Sequence, residues 1–182
     1  MVPEAPLHRH EHGLAPAGPG WFVLNAHDAR WTHARGRSAV CEFEGDGDGA
    51  FAQIGVNLSV LDPGQAMACY HWEADQEDFL VLAGQALLIV EGQERRLRQW
   101  DFVHCPPHTA HTIVGAGNGP SLVLALGARQ DSTGPDWGGY LADPVAAAHD
   151  ASAAADTTVP AQAYAGLPRR RPVPYRRGWL PD

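Results

Sequence analysis

His71, Glu73, Glu77 and His111 are the residues of this chain whose types and spacing could do chemistry. Two imidazoles and two carboxylates sit among alternating β-type residues, and the group closes on the turn Pro106-Pro107-His108-Thr109-Ala110-His111. A divalent metal needs lone-pair donors that converge on one point. A strand supplies them when ligands two residues apart share a face, as His71 and Glu73 would. Two imidazoles and a carboxylate on one side of a metal make a facial triad that leaves coordination positions open for substrate or oxygen. His71, Glu77 and His111 satisfy that pattern, and Glu73 would add a second oxygen donor. Carboxylates are harder ligands than imidazole, so the set favours Fe(II) or Mn(II), with Zn or Ni as alternatives. Two carboxylates also offset the charge of a divalent ion and raise the pKa of its bound water relative to a three-His site. Two other uses of Glu73 stay open: hydrogen bonding to a ligand from behind, or acting as a general base beside the metal. The four residues could also form a hydrogen-bonded polar core without any metal.

The same stretch resembles the cupin family. The first motif of that family reads Gly, five residues, His-x-His, three or four residues, Glu, six residues, Gly. His71, Glu77 and Gly84 match it, Glu73 stands at the second His, and Gly64 is displaced by one residue. The second motif reads Gly, five residues, Pro-x-Gly, two residues, His. Pro106 and His111 match it, while Trp100 and His108 take the two Gly positions. The resemblance implies a metal held inside a β-barrel by these ligands and a homodimer joined through sheet edges or faces. It also implies a small-molecule ligand or substrate. Cupins include dioxygenases and isomerases or epimerases, so a small metalloenzyme is one expectation. A non-catalytic ligand-binding or sensor module, with or without metal, is the other, and a vestigial site the third. The resemblance assigns no catalytic residue.

The elements that must position these residues are short strands. Residues 51–61 alternate, with Ala52, Ile54, Val56, Leu58 and Val60 on one face and Gln53, Gly55, Asn57 and Ser59 on the other. Further strands are expected at 21–25, 39–43, 68–73, 78–82, 86–91, 94–98, 102–105, 110–114 and 121–127. Gly45 to Gly49 and Glu91-Gly92 are read as turns. Short strands at this spacing predict a sandwich or barrel. The fold expected is therefore all-β, a cupin-type double-stranded β-helix or jelly-roll barrel at 21–129. An extended arm at 1–20 precedes it, and a C-terminal extension at 130–182 follows. In the extension, Asp143-Pro144 reads as an N-cap with Pro at N1, and Pro160 to Ala165 as another helical turn.

Composition bounds the remainder. The 182 residues carry a net charge of −8, which argues against nucleic acid as a partner. Residues 167–182 hold five Arg and one Asp, and Tyr175, Trp179 and Leu180 favour a strap lying on the body or on a second subunit over a disordered tail. Cys41, Cys69 and Cys105 lack metal or disulfide spacing and read as small buried hydrophobes. Cys69 shares a face with His71 and Glu73 if the strand is regular. Tyr70 and Trp72 point the other way, toward the second sheet or a subunit interface. Asp75, Gln76 and Asp78 read as a solvated face. His8, His10 and His12 lie in the arm without fixed geometry. With no apolar leader and no run of about 18 apolar residues, a cytoplasmic protein with no membrane contact is expected.

Overall fold

The computed structural model describes residues 1–130, 134 and 136–181. Two antiparallel sheets carry the fold. The seven-stranded sheet has the order β10-β7-β12-β5-β4-β3-β14. Its strands are β3 (Arg30–His33), β4 (Ala39–Glu42), β5 (Ile54–Leu61), β7 (Glu77–Ala83), β10 (Phe102–Cys105), β12 (Ser121–Ala128) and β14 (Arg171–Val173). The five-stranded sheet has the order β13-β6-β11-β8-β9. It contains β6 (His71–Glu73), β8 (Gln85–Val90), β9 (Gln93–Arg98), β11 (His111–Ala116) and β13 (Gly138–Tyr140). The inner faces of both sheets meet in one apolar cluster, which includes Leu61, Phe79, Val81, Leu88, Val103, Ile113 and Val123. This is the expected all-β barrel, a double-stranded β-helix.

Both sheets are also covered on the outside, which explains why their central strands are apolar on two faces. In β5, Leu58 and Val60 face outward into a second cluster with Trp31, Cys41 and Leu122, while Leu61 faces the barrel core. The apolar face read from the alternation of 51–61 is thus the outer one. Asn57 and Ser59, on the polar face, line the barrel cavity. In β11, Ile113 points inward, and Val114 packs outward beneath residues of the C-terminal extension.

The N-terminal segment is not a loose arm. It folds into a hairpin of β1 (Leu7–His10) and β2 (Gly13–Pro16), with Ala5 and Ala15 buried. Gly13 fixes it to the body. A Cβ there would stand 2.3 Å from the carbonyl oxygen of Ala29, and its φ of +137° is one that side chains disfavour. The strand expected at 21–25 is absent beyond a single bridge at Trp21, whereas β3 was not foreseen.

The C-terminal extension wraps the barrel. Asp143 caps the helix α1 (Pro144–Ala147), its carboxylate accepting from the backbone N–H of Ala146 at 2.8 Å. A second short helix, α2 (Pro160–Ala163), follows. Tyr70 is buried beneath α1 with Ile89, Val114, Ala146 and Ala151. Tyr70 and the half-buried Trp72 therefore pack against their own chain's extension, not against the second sheet. At the end of the chain β14 pairs with β3, and Tyr175 and Trp179 lie 5.9 and 4.9 Å from the Trp31 ring. Asp182, Asp131 to Thr133 and Pro135, all inside the segment expected as the extension, lie outside the described residues. No helix among the described residues is long and apolar enough to cross a membrane.

Candidate metal centre

The site is built where the two sheets face each other. His71 opens β6 and is the direct cross-strand partner of His111, which opens β11. Their ring centroids are 5.0 Å apart. A short link at 74–76 carries the chain from β6 to the other sheet, where Glu77 opens β7 and is paired with Cys105 and Gly127. The turn before His111 is tied back to β6 by the His108 N–H, which donates to the Glu73 carbonyl at 2.7 Å. Ring contact between His108 and Trp72, centroids 5.1 Å apart, holds the same corner.

The turn geometry explains the motif's glycine positions. Gly64, Gly84, Trp100 and His108 all have positive φ, of 81°, 75°, 75° and 68°. The backbone demand is conserved in shape even where Trp100 and His108 replace the residue that meets it without strain.

His71, Glu77 and His111 each bring one ligand atom into a group whose members lie within 4.8 Å of one another. Glu77 Oε2 is 3.6 Å from His71 Nε2 and 3.3 Å from His111 Nε2. Both rings are oriented from behind. His71 Nδ1 lies 2.8 Å from the Cys69 carbonyl oxygen, and His111 Nδ1 lies 2.9 Å from that of Thr109. A carbonyl can only accept, so Nδ1 carries the proton in each ring and the Nε2 lone pair is aimed at the centre. Glu77 Oε2 and His111 Nε2 are buried and have no hydrogen-bond partner. Buried polar atoms are normally paired; these two face each other and His71, at a point where a cation could complete the set. The donor set fits a divalent metal.

Glu73 stands at the rim of this group. Its Oε1 is 3.7 Å from His71 Nε2, and it is more exposed than the other three. Cys69 is not at the centre. It packs with Tyr140 and Ala153 in a separate cluster, because the chain bends before β6 begins. Burial raises its thiol pKa, which suits a small hydrophobe. Cys105 is the sulfur beside His111. Asp75, expected on a solvated face, is buried at 6% exposure. Asp78 is held in a side-chain network, accepting from Gln76 and contacting His104.

The electrostatics favour a charged pair when no metal is bound. Burial alone would lower the His111 pKa, but the Cys105 sulfur and the Glu77 carboxylate outweigh it and push it up to about 10. Burial likewise opposes ionisation of Glu77, yet His111 and His71 hold its pKa below the usual value. Each group is thus set to be neutralised by a cation, a proton on His111 or a metal at the centre.

A cavity of ≈ 270 Å³ opens from the ligands into the barrel mouth. Its walls include Asn57, Met67 and Phe79 from the barrel, and Tyr140, Tyr164 and Arg170 from the extension. Tyr140 stacks near His71, centroids 5.8 Å apart, and burial followed by the neighbouring Tyr164 raises its pKa, so it stays a phenol. None of these three extension residues was legible in sequence. Tyr140 sits in a bare Gly-Gly-Tyr run, and Arg170 is one of five arginines in a tail read as a strap, with nothing to single it out.

Comparison with known proteins agrees with this fold. Residues 57–127 match the family model described as the Cupin domain. The polyketide cyclase RemF from Streptomyces resistomycificus superposes with a TM-score of 0.52 at 14% identity, covering 60% of this chain and 80% of that one. An RmlC-like cupin from Shewanella frigidimarina gives 0.52 at 14% identity, covering 60% and 92%. A sugar phosphate isomerase of the cupin superfamily from Silicibacter pomeroyi gives 0.45 at 27% identity, with 52% of this chain aligned to 60% of that one. This chain therefore spans less than two thirds of that isomerase. No curated protein matches the sequence.

Proposed function

We propose that the chain is a small metalloenzyme that acts on a small organic molecule bound in the barrel mouth, within the stretch 57–127 that matches the Cupin domain model. The observation that carries this reading is the pair of buried, unpartnered atoms, Glu77 Oε2 and His111 Nε2, converging with His71 on one wall of the cavity. His71, Glu77 and His111 would hold the ion, with Glu73 as the fourth ligand at the rim. Two imidazoles and two carboxylates favour Fe(II) or Mn(II) over softer-site metals. The metal would supply Lewis acidity or redox chemistry with open positions facing the cavity. The chain's own residues do the remainder. Asn57 and the Tyr140 phenol offer hydrogen bonds to a ligand, Phe79 and Met67 give it apolar walls, and the extension narrows the opening to water.

We also infer a homodimer. The β9 edge is guarded by Glu94, Arg95, Arg96 and Arg98, which discourage pairing. The β10 edge of the seven-stranded sheet leaves Phe102 61% exposed, with Trp100 at 67% two residues before it. The three cysteines are free and buried, which fits a reducing compartment.

Elemental analysis of protein purified without added metal tests the site. Roughly one divalent ion per chain is expected. His111→Ala and Glu77→Ala should strip it, while Cys69→Ala should retain it and change only packing. Loss of metal in Cys69→Ala with the fold intact would make the sulfur a ligand and overturn the assignment.

A further inference from the structure

Arg170 is a cation that the metal site does not use. It comes from the C-terminal tail, is half-buried, and lines the same cavity as His71, Glu77 and His111. Among the described residues its hydrogen bonds go only to uncharged acceptors. Nε donates to the Ser38 carbonyl at 3.2 Å, and one terminal nitrogen donates to the Ser38 hydroxyl and to the Met67 carbonyl at 3.1 Å. No carboxylate among the described residues forms an ion pair with it; Glu42 acts on it only from a distance. A buried charge without a partner is costly, and the three neutral acceptors hold it in place without neutralising it. Burial, followed by the nearby Arg37, lowers its pKa to about 10, so it remains a cation at neutral pH.

Resting on the metal reading above, we propose that Arg170 binds the charged group of the substrate, which is a small organic monoanion such as a carboxylate. The charges point to one negative charge. Glu73 and Glu77 offset a divalent ion, and Arg170 leaves the cavity with one uncompensated positive charge. Among the described residues the other terminal nitrogen of the guanidinium makes no hydrogen bond, and a planar fork suits an oxyanion. Phe79, Met67 and Tyr140 would line the apolar part of the ligand.

Benzoate and benzamide are nearly isosteric but differ in charge, with an NH2 donor in place of one carboxylate oxygen, and each is titrated calorimetrically into Mn(II)-loaded protein, with acetate as a smaller anion. Mn(II) binding is measured first by electron paramagnetic resonance. The wild type should bind benzoate about tenfold or more tighter than benzamide. Arg170→Gln should lose about tenfold or more of the benzoate affinity while benzamide is unchanged, as expected for a charge-assisted hydrogen bond. Ser38→Ala, which loosens the tail but keeps the cation, should lower the melting temperature and leave the preference for benzoate. If Arg170 merely staples the tail, Ser38→Ala and Arg170→Gln will share a phenotype: lower stability with unchanged benzoate affinity. That result overturns the proposal. So does equal binding of benzoate and benzamide by the wild type, a comparison that needs no variant to fold. Failure of both benzoate and acetate to bind the metal-loaded protein overturns it as well. If Mn(II) itself does not bind, the metal reading fails first and takes this inference with it.

Discussion

At the scale of single residues, the two imidazoles of the candidate site are held from behind. Nδ1 of His71 and of His111 is committed to a backbone carbonyl, so neither ring is free to turn its lone pair away. The pH dependence follows from the charges. His111 must be neutral to ligate, yet in the metal-free protein its pKa is raised to about 10. A proton therefore competes with the metal throughout the neutral range. Metal affinity should climb by about tenfold per pH unit between pH 6 and 9 and level off only near the folded pKa. The stability of the metal-free protein runs the other way. A raised His pKa contributes stability that is fully present below the unfolded value and is lost as pH rises through the folded one. The depressed pKa of Glu77 contributes stability above its unfolded value, lost as pH falls. The rise in melting temperature on adding Mn(II) should thus be larger at pH 8.5 than at pH 6.5. A shift that shrinks with pH would contradict the assignment of His111. His71, Glu77 and His111 were legible in sequence because the motif spacing fixes strand starts. Tyr140 and Arg170 were not, because no local pattern tells which side chain of a distant segment turns into a barrel.

At the scale of elements, cross-strand register does the positioning. His71 faces His111 because both open their strands at one level of the five-stranded sheet, and Glu77 reaches them from the first residue of β7. Strands between 77 and 128 could be placed from alternation and turn signals, since each is bounded by Gly, Pro or a Glu91-Gly92 type turn. The strands β13 and β14 could not, because three-residue strands owe their existence to a partner edge. Which face of β5 points inward was also hidden. Alternation separates faces but does not say which is the inner one when both are covered. The open edge at β10 gives a direct test of assembly. Phe102→Lys should turn a dimer into a monomer by analytical ultracentrifugation with little change in monomer fold. A wild type that is monomeric at high micromolar concentration would remove the dimer reading.

At the scale of the whole molecule, the extension is part of the site. It covers the outer faces of both sheets and sends Tyr140, Tyr164 and Arg170 into the cavity. The tail pairs with β3 through β14, but charge attraction does little of the docking. No ion pair among the described residues joins a tail arginine to the acidic body. Trp31 instead packs against Tyr175 and Trp179, and Leu180 joins the same cluster. Removing residues 168–182 should cost about 2–4 kcal/mol of stability, the scale of partly burying two or three large apolar side chains such as Tyr175, Trp179 and Leu180. The deficit in denaturant melts should persist at 0.5 M salt. A deficit that vanishes in salt would mean that ion pairs hold the tail.

The central claim is that one divalent metal sits among His71, Glu77 and His111. X-ray absorption spectroscopy on Mn(II)-loaded protein tests it most directly. The account predicts a shell of nitrogen and oxygen with the outer-ring signature of two imidazoles and no sulfur, reduced to one imidazole in His111→Ala. Sulfur in the shell, from Cys105 or Cys69, or a spectrum of hydrated Mn(II) unchanged by His111→Ala, would contradict it.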